Sequence, residues 1–357
     1  MLNFTVGPVM SNPYVIEESG KSAPYFRTQE FSKIMVENEK MLLNMVNAPK
    51  NSRCVFLTSS GTGAMESCVM NLLNKKDKVI VVNGGTFGQR FVDLCVLHER
   101  EVREIKVDFG KQLEEKQLNQ LQGDEYDALL INMHETSSGV LYDMDMVSKF
   151  CKDNNIMLII DAISSFISDD LDMNKLGAAA VITGSQKALA LHPGLSIVLM
   201  SPFAIEKVRN NEEVCLYLSL KEALKNAERG QTPFTPAVSV ILQLYRRLKA
   251  IQDNGGVLSE RKKIEAIALD FREKIIKLPF DFVVKDMSNS VTALHPRKAN
   301  ATEIVDMLKD EYGIWVCPSG GRMSNDIFRV GHIGCISFED NNTLIQALED
   351  LQRRGVI

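Results

Sequence analysis

The sequence predicts an α/β protein whose mostly parallel central sheet carries helices on both faces, with a smaller C-terminal α+β unit attached. Three observations lead there. Apolar β-type runs alternate with helical ones through the first 200 residues, the apolar runs are nearly continuous rather than alternating, and the pattern changes character after Phe203. Near-continuous apolar strands separated by helices are what a parallel sheet covered on both faces requires.

The runs come in order. CVFLT at 54–58 precedes AMESCVMNLL at 64–73, KVIVV at 78–82 precedes FGQRFVDLCVL at 87–97, and VREIKV at 102–107 precedes the polar KQLEEKQLNQL at 111–121. DALLIN at 127–132, MDMVSKFCKDN at 144–154 and IMLIID at 156–161 follow, then AAAVIT at 178–183 and SIVLM at 196–200. Beyond Phe203 two long helical segments lie near 237–254 and 258–276, and past Pro279 shorter elements alternate to a last helix near 339–354. The division expected is a large domain over about residues 15–250 and a small one over 251–357 that also takes in the N-terminal segment 1–14. A chain of 357 residues is longer than one hydrophobic core usually serves.

Composition narrows the function classes. Hydrophobic residues make up 45% and charged residues 24%, as in an ordinary globular protein, and a net charge of −5 without long single-sign runs argues against nucleic acid or an anionic membrane as partner. No apolar stretch reaches the roughly 18–20 residues a membrane span needs, and MLNFTVGPVMSNP lacks the layout of an export signal. Seven cysteines without a CxxC pair read as free thiols of a reducing cytoplasm, and no metal site is expected.

The candidate chemistry falls at the carboxyl ends of predicted strands, where open parallel sheets collect ligands. TSSGTGAMES at 58–67 opens a helix, and the unpaired N–H groups of Ser60, Gly61 and Thr62 suit a phosphate, although a plain capped turn would look similar. Asp161 ends a buried strand, where a carboxylate is costly without a partner; it reads either as a helix cap or as the partner of a protonated ring nitrogen. Lys187 follows the next apolar run in GSQKALALHPG, and a desolvated lysine has the lowered pKa of a nucleophile or proton carrier. A phosphate anchor, a ring-nitrogen partner and an imine-forming amine are together what pyridoxal phosphate requires.

Eight segments, TVGPV (5–9), SSGTGAMES (59–67), NGGTFGQR (83–90), HETSSG (134–139), DAISSF (161–166), GSQKALALHPG (184–194), TPFTPAV (232–238) and FRVGHIG (328–334), resemble in order and spacing the class V aminotransferases of fold type I. These include the alanine–glyoxylate, serine–pyruvate and 2-aminoethylphosphonate–pyruvate transaminases. The resemblance covers nearly the whole chain. It implies that Lys187 forms the Schiff base with pyridoxal phosphate and shuttles the proton, and that Asp161 keeps the pyridine nitrogen protonated. It further implies that Phe87 stacks on the ring, Thr136 bonds the phenolic oxygen and Gln186 helps hold the phosphate. Thr232 and Thr235 would reach the phosphate of the other subunit of a homodimer with shared active sites. Arg329 would grip the substrate carboxylate, and Gly7 would bring the N-terminal backbone close to the substrate.

The implied reaction is a ping-pong transfer from a small donor such as alanine, serine or 2-aminoethylphosphonate to pyruvate or glyoxylate. Certain positions depart from the pattern. Met133 stands where many relatives have a histidine, with His134 next to it, and Phe26 replaces the histidine of the HRSxEF loop. Segments 313–334 and 254–257 are more similar to the aminoethylphosphonate enzymes, so the substrate is divided between two groups. A cysteine desulfurase is the alternative on the same fold. Gln186 rather than histidine before Lys187, and the apolar settings of Cys317 and Cys335, argue against it.

Overall fold

The computed structural model describes residues 1–123 and 125–357. Its central sheet has seven strands in the order Arg53–Leu57, Ser196–Met200, Ala178–Gly184, Met157–Asp161, Ala128–Asn132, Lys78–Asn83 and Glu101–Lys106. All neighbours run parallel except Ser196–Met200, which is antiparallel to both strands it pairs with. The α/β expectation therefore holds with one reversed strand. That reversal follows from the short connection after Gly184: the chain turns back through 185–195 instead of crossing over a helix, and a short return can only be antiparallel.

Both faces of this sheet are covered, and the period of two sorts its side chains between them. Phe56, Ile80, Leu129, Leu158 and Ile160 belong to one hydrophobic cluster with Phe31, Met35, Ile241 and Leu244. Val55, Val79, Leu130 and Ile159 belong to another with Met65, Cys68, Phe91 and Ile205. Burial on both sides is why these strands read as unbroken apolar runs.

A second, five-stranded sheet has the order Leu2–Phe4, Ile314–Pro318, Phe328–Gly331, Val291–Pro296 and Phe280–Phe282. The N-terminal strand pairs parallel to Ile314–Pro318, which carries Thr5–Val9 back toward the large sheet. Helices Gly256–Ile275, Ala301–Tyr312 and Phe338–Arg353 give this sheet a cluster of its own around Phe271, Leu308, Phe328 and Leu348.

Two expectations about elements need correction. The polar run 111–121 forms only the short helix Glu115–Asn119, in which Leu118 is the one buried side chain; Leu113 and Leu121, also buried, lie outside it in non-helical backbone. Conversely, Gln29–Met45 is a 17-residue helix that the strand-led reading passed over. Its signals were present in the Thr28 cap, which accepts from Phe31 N, and in buried Phe31, Met35, Asn38 and Leu42 at near-helical spacing.

Candidate active site

The ends of three adjacent parallel strands supply the floor of the site. Register sets Asn132 beside Asp161, and Asn132 Nδ2 donates to Asp161 Oδ2 at 2.5 Å. Ile163 N donates to the other oxygen at 2.8 Å, so Asp161 caps the turn after its own strand. One carboxylate oxygen thus serves the local turn and the other meets Asn132, with the group buried at the strand end. Burial raises its pKa to about 6 against the lowering pull of these two hydrogen bonds. Asn132 escaped the sequence reading, although its place as the last residue of DALLIN was a usable signal.

Lys187 lies past the end of the neighbouring strand and is 9% exposed. Burial lowers its pKa to about 8, and the positive charges of Arg329 and Arg90 act in the same direction. Among the described residues no hydrogen bond or ion pair is made to its amine. Gly7 fits against it: a Cβ there would lie 2.8 Å from Lys187 Cδ, and φ of +129° independently favours glycine. Gln186 is half-buried beside it.

The Gly-rich turn meets this floor directly. Ser60 is the N-cap of helix Gly61–Leu72 but makes no side-chain capping bond, which leaves its hydroxyl uncommitted there. A side chain at Gly61 would collide with Ile163, so that glycine lets the helix N-terminus approach the segment after Asp161. Thr62 Oγ1 accepts from Arg90 at 3.1 Å, and the same guanidinium lies 4.8 Å from the centre of the Phe87 ring.

Above the floor runs a buried polar chain. Thr136 Oγ1 donates to Ser164 Oγ at 2.7 Å, Ser164 meets His134 Nδ1 at 2.9 Å, and Ser290 approaches the same nitrogen at 3.2 Å. Ser290 then contacts Ser288, which donates to Asp169. Burial, aided by the charges of Lys187, Arg329 and Arg272, drives the pKa of His134 down to about 3 and keeps the ring neutral. The departure at 133–134 is resolved here. Met133 is a buried strand-end residue whose N donates to Asp161 O, and His134 takes the polar place behind Thr136. Ser164 and Ser290 could not have been paired with it by sequence spacing.

Arg329 closes the site from the second sheet. Its terminal nitrogens donate to Thr136 O at 2.9 Å and Pro318 O at 2.7 Å, while Nε is buried without a partner. No carboxylate neutralises it among the described residues. With Gly85, Thr86, Phe87, Ser137 and Ser319 it lines a cleft of about 390 Å³ whose apolar walls include Phe109 and Met323.

Thr232 and Thr235 are not brought into this cleft. Thr232 turns its hydroxyl to Phe234 O at 2.7 Å while its carbonyl accepts from Arg27, and Thr235 is exposed. All seven cysteines are free. Cys317 sits in register with Arg329 on a regular strand, whereas Cys335 is exposed rather than enclosed by apolar neighbours as its sequence setting implied.

The profile of the family described as aminotransferase class-V matches residues 13–345. The chain belongs to the class V aminotransferases. It is accordingly a pyridoxal-phosphate-dependent transaminase of fold type I. Among its relatives, the soluble hydrogenase 42 kDa subunit of Anabaena cylindrica is 31% identical over 329 residues, covering 90% of this chain and 85% of that protein. The alanine–glyoxylate aminotransferase of Felis catus is 27% identical over 98% of this chain and 87% of its own. The L-aspartate–glyoxylate aminotransferase of Paracoccus denitrificans is 28% identical over 79% and 74%. The fold matches that of an aspartate aminotransferase of subgroup IV from Thermus thermophilus, with a TM-score of 0.92 at 22% identity over the whole of both chains. No helix among the described residues is long and apolar enough to cross a membrane.

The described residues suit the cofactor of this class. A helix N-terminus with an uncommitted Ser60 hydroxyl, a buried carboxylate and a buried amine without a partner converge on one floor. Gly7 and Gly61 let their backbones pack closely against Lys187 and against Ile163, next but one to Asp161.

Proposed function

We propose that this transaminase moves an amino group from a small donor, alanine, serine or 2-aminoethylphosphonate, to pyruvate or glyoxylate in two successive half-reactions. The observation that carries the reading is Arg329. A half-buried guanidinium without a carboxylate partner, opening onto a cleft beside Phe87, is suited to the carboxylate common to amino acids and keto acids. Relatives that are named as glyoxylate aminotransferases support the acceptor.

Pyridoxal phosphate, when bound, supplies the electron sink that makes the substrate's α-proton acidic. The chain's own groups would do the rest. Lys187, with a pKa of about 8 in place of 10.5, holds its proton loosely enough to give it up and take it back at Nζ a little above neutral pH. Asp161 would hold the proton on the ring nitrogen; Ser60, Gly61, Thr62 and Gln186 would hold the phosphate. Phe87 would cover one face of the ring and Thr136 would meet its phenolic oxygen. Arg329 would orient the substrate, and Gly7 would keep the backbone clear of the Lys187 stem. On the division at residue 250, the cleft lies between a large and a small domain, since Phe87 and Ser137 come from one and Ser319 and Arg329 from the other.

We also infer a cytoplasmic homodimer. Exposed Tyr25, Tyr217 and Phe234 flank the Arg27 contacts to 231–233, and Tyr217 stacks on Phe234 with ring centres 5.5 Å apart. Pairing through this face would let Thr232 and Thr235 serve the partner's site, and sedimentation of the protein together with its Tyr217→Ser variant tests it. The activity is tested by the visible spectrum of the cofactor-loaded protein with L-alanine, L-serine, L-aspartate or 2-aminoethylphosphonate. Bleaching by one donor and recovery with pyruvate or glyoxylate identifies the pair. A protein that none of them bleaches removes the proposed substrates.

A further inference from the structure

Glu135 lies wholly buried behind the cleft and is not part of its lining. Its carboxylate accepts from Gly88 N at 3.0 Å with one oxygen and from Ser137 N at 3.1 Å and Ser137 Oγ at 2.5 Å with the other, and Phe87 N donates to both, at 3.2 Å to the first and 3.4 Å to the second. Ser137 Oγ in turn accepts from Thr86 N at 3.2 Å. The helix Thr86–Leu97 has Gly85 as N-cap and so no capping side chain of its own. A carboxylate from a segment 48 residues further along the chain does that work, where unpaired N–H groups and the helix dipole favour a negative charge. Gly85 must be glycine for this approach, since a Cβ there would lie 2.7 Å from Glu135 Cδ. Thr86, Phe87 and Ser137, three residues of the cleft, therefore hang from one buried anion.

We infer that Glu135 is a positioning residue that sets the Phe87 ring against the cofactor. The inference rests on the reading of Phe87 as the residue that covers that ring. One oxygen of Glu135 takes Gly88 N and the shorter bond from Phe87 N while the other takes both donors of Ser137, so an amide, which has one acceptor and one donor end, cannot keep both sets of bonds. Replacement by glutamine should free either the helix N-terminus or Ser137 and let Phe87 drift, and small displacements in a positioned site are costly.

The test is a double-mutant cycle on the dissociation constant for pyridoxal phosphate, with Phe87→Ala, Glu135→Gln and the pair. Glu135→Gln should weaken binding about tenfold, equivalent to about 1.4 kcal/mol. On the Phe87→Ala background the same change should cost less than about twofold, because the ring it positions is gone. Equal losses on both backgrounds would reduce Glu135 to a stabiliser of the fold and overturn the inference. Should Phe87→Ala alone leave binding unchanged, the inference falls with the reading of Phe87, and the two failures are thereby told apart. Ser137→Ala, which removes one donor from the same carboxylate without leaving a buried charge unpaired, carries the same comparison if Glu135→Gln does not fold. It should show a smaller loss with the same dependence on Phe87.

Discussion

Replacing Lys187 by methionine should stabilise the cofactor-free protein at neutral pH, and the gain should shrink as the pH rises. Burial takes this lysine from an ordinary 10.5 to about 8. One pH unit corresponds to about 1.4 kcal/mol, so keeping the buried group charged costs the fold about 3 kcal/mol at pH 7. The sign follows from proton counting. Between about pH 8 and 10.5 the unfolded chain holds this proton and the folded one does not, so the contribution of Lys187 to stability climbs with pH through that window. Below pH 8 both states are protonated and the penalty is complete; above 10.5 both are neutral and it has gone. Methionine matches the length of the stem without the charge, and the advantage of Lys187→Met should therefore be flat at about 3 kcal/mol below pH 8 and decline toward zero by about pH 10.5. Urea unfolding of both proteins in cofactor-free form, at one protein concentration across pH 6.5–10.5, measures the difference. A gain independent of pH would mean that packing, not desolvation, governs the site, and would refute the low pKa on which the proton-carrying role depends.

Asp161→Asn should likewise stabilise the cofactor-free protein at pH 7, because a carboxyl raised to about 6 withdraws stability as pH rises from its ordinary value through 6; the same variant should lose transamination, checked by the spectral assay. Arg329→Lys should raise KM for the keto acid roughly 10- to 100-fold through loss of a bidentate charged contact, with a smaller effect on kcat, measured by steady-state kinetics. Gly61→Ala should cost about 1–3 kcal/mol by overpacking against Ile163, and Ile163→Ala should recover part of that loss in the double variant, read by thermal unfolding. The His134 ring should remain neutral across pH 5–9 in a nitrogen-15 NMR titration, because its pKa lies near 3; titration in that range would contradict the buried chain through Ser164.

What the sequence by itself determined is whatever a short window can encode. The apolar runs that end at Leu57, Asn132, Asp161 and Gly184 carry the two-faced burial of a central sheet in their composition, because strands covered on both sides leave no polar face to interrupt them. The eight segments, read in order, named the class to which the chain belongs. Helix Gln29–Met45 was legible too, through its cap and spacing, and was missed because the reading followed strands. Tertiary structure alone decided which strand ends meet and which groups stand behind them. Asn132 touches Asp161 through register, His134 finds Ser290 across 156 residues, and Arg329 finds Thr136 across 193. Glu135 caps a helix that begins 49 positions before it. Such pairings depend on strand order and on the return of a second sheet over the first. No local periodicity records them, because the energy of a buried hydrogen bond is set by where its partner finally lies and not by the residues beside it in the chain.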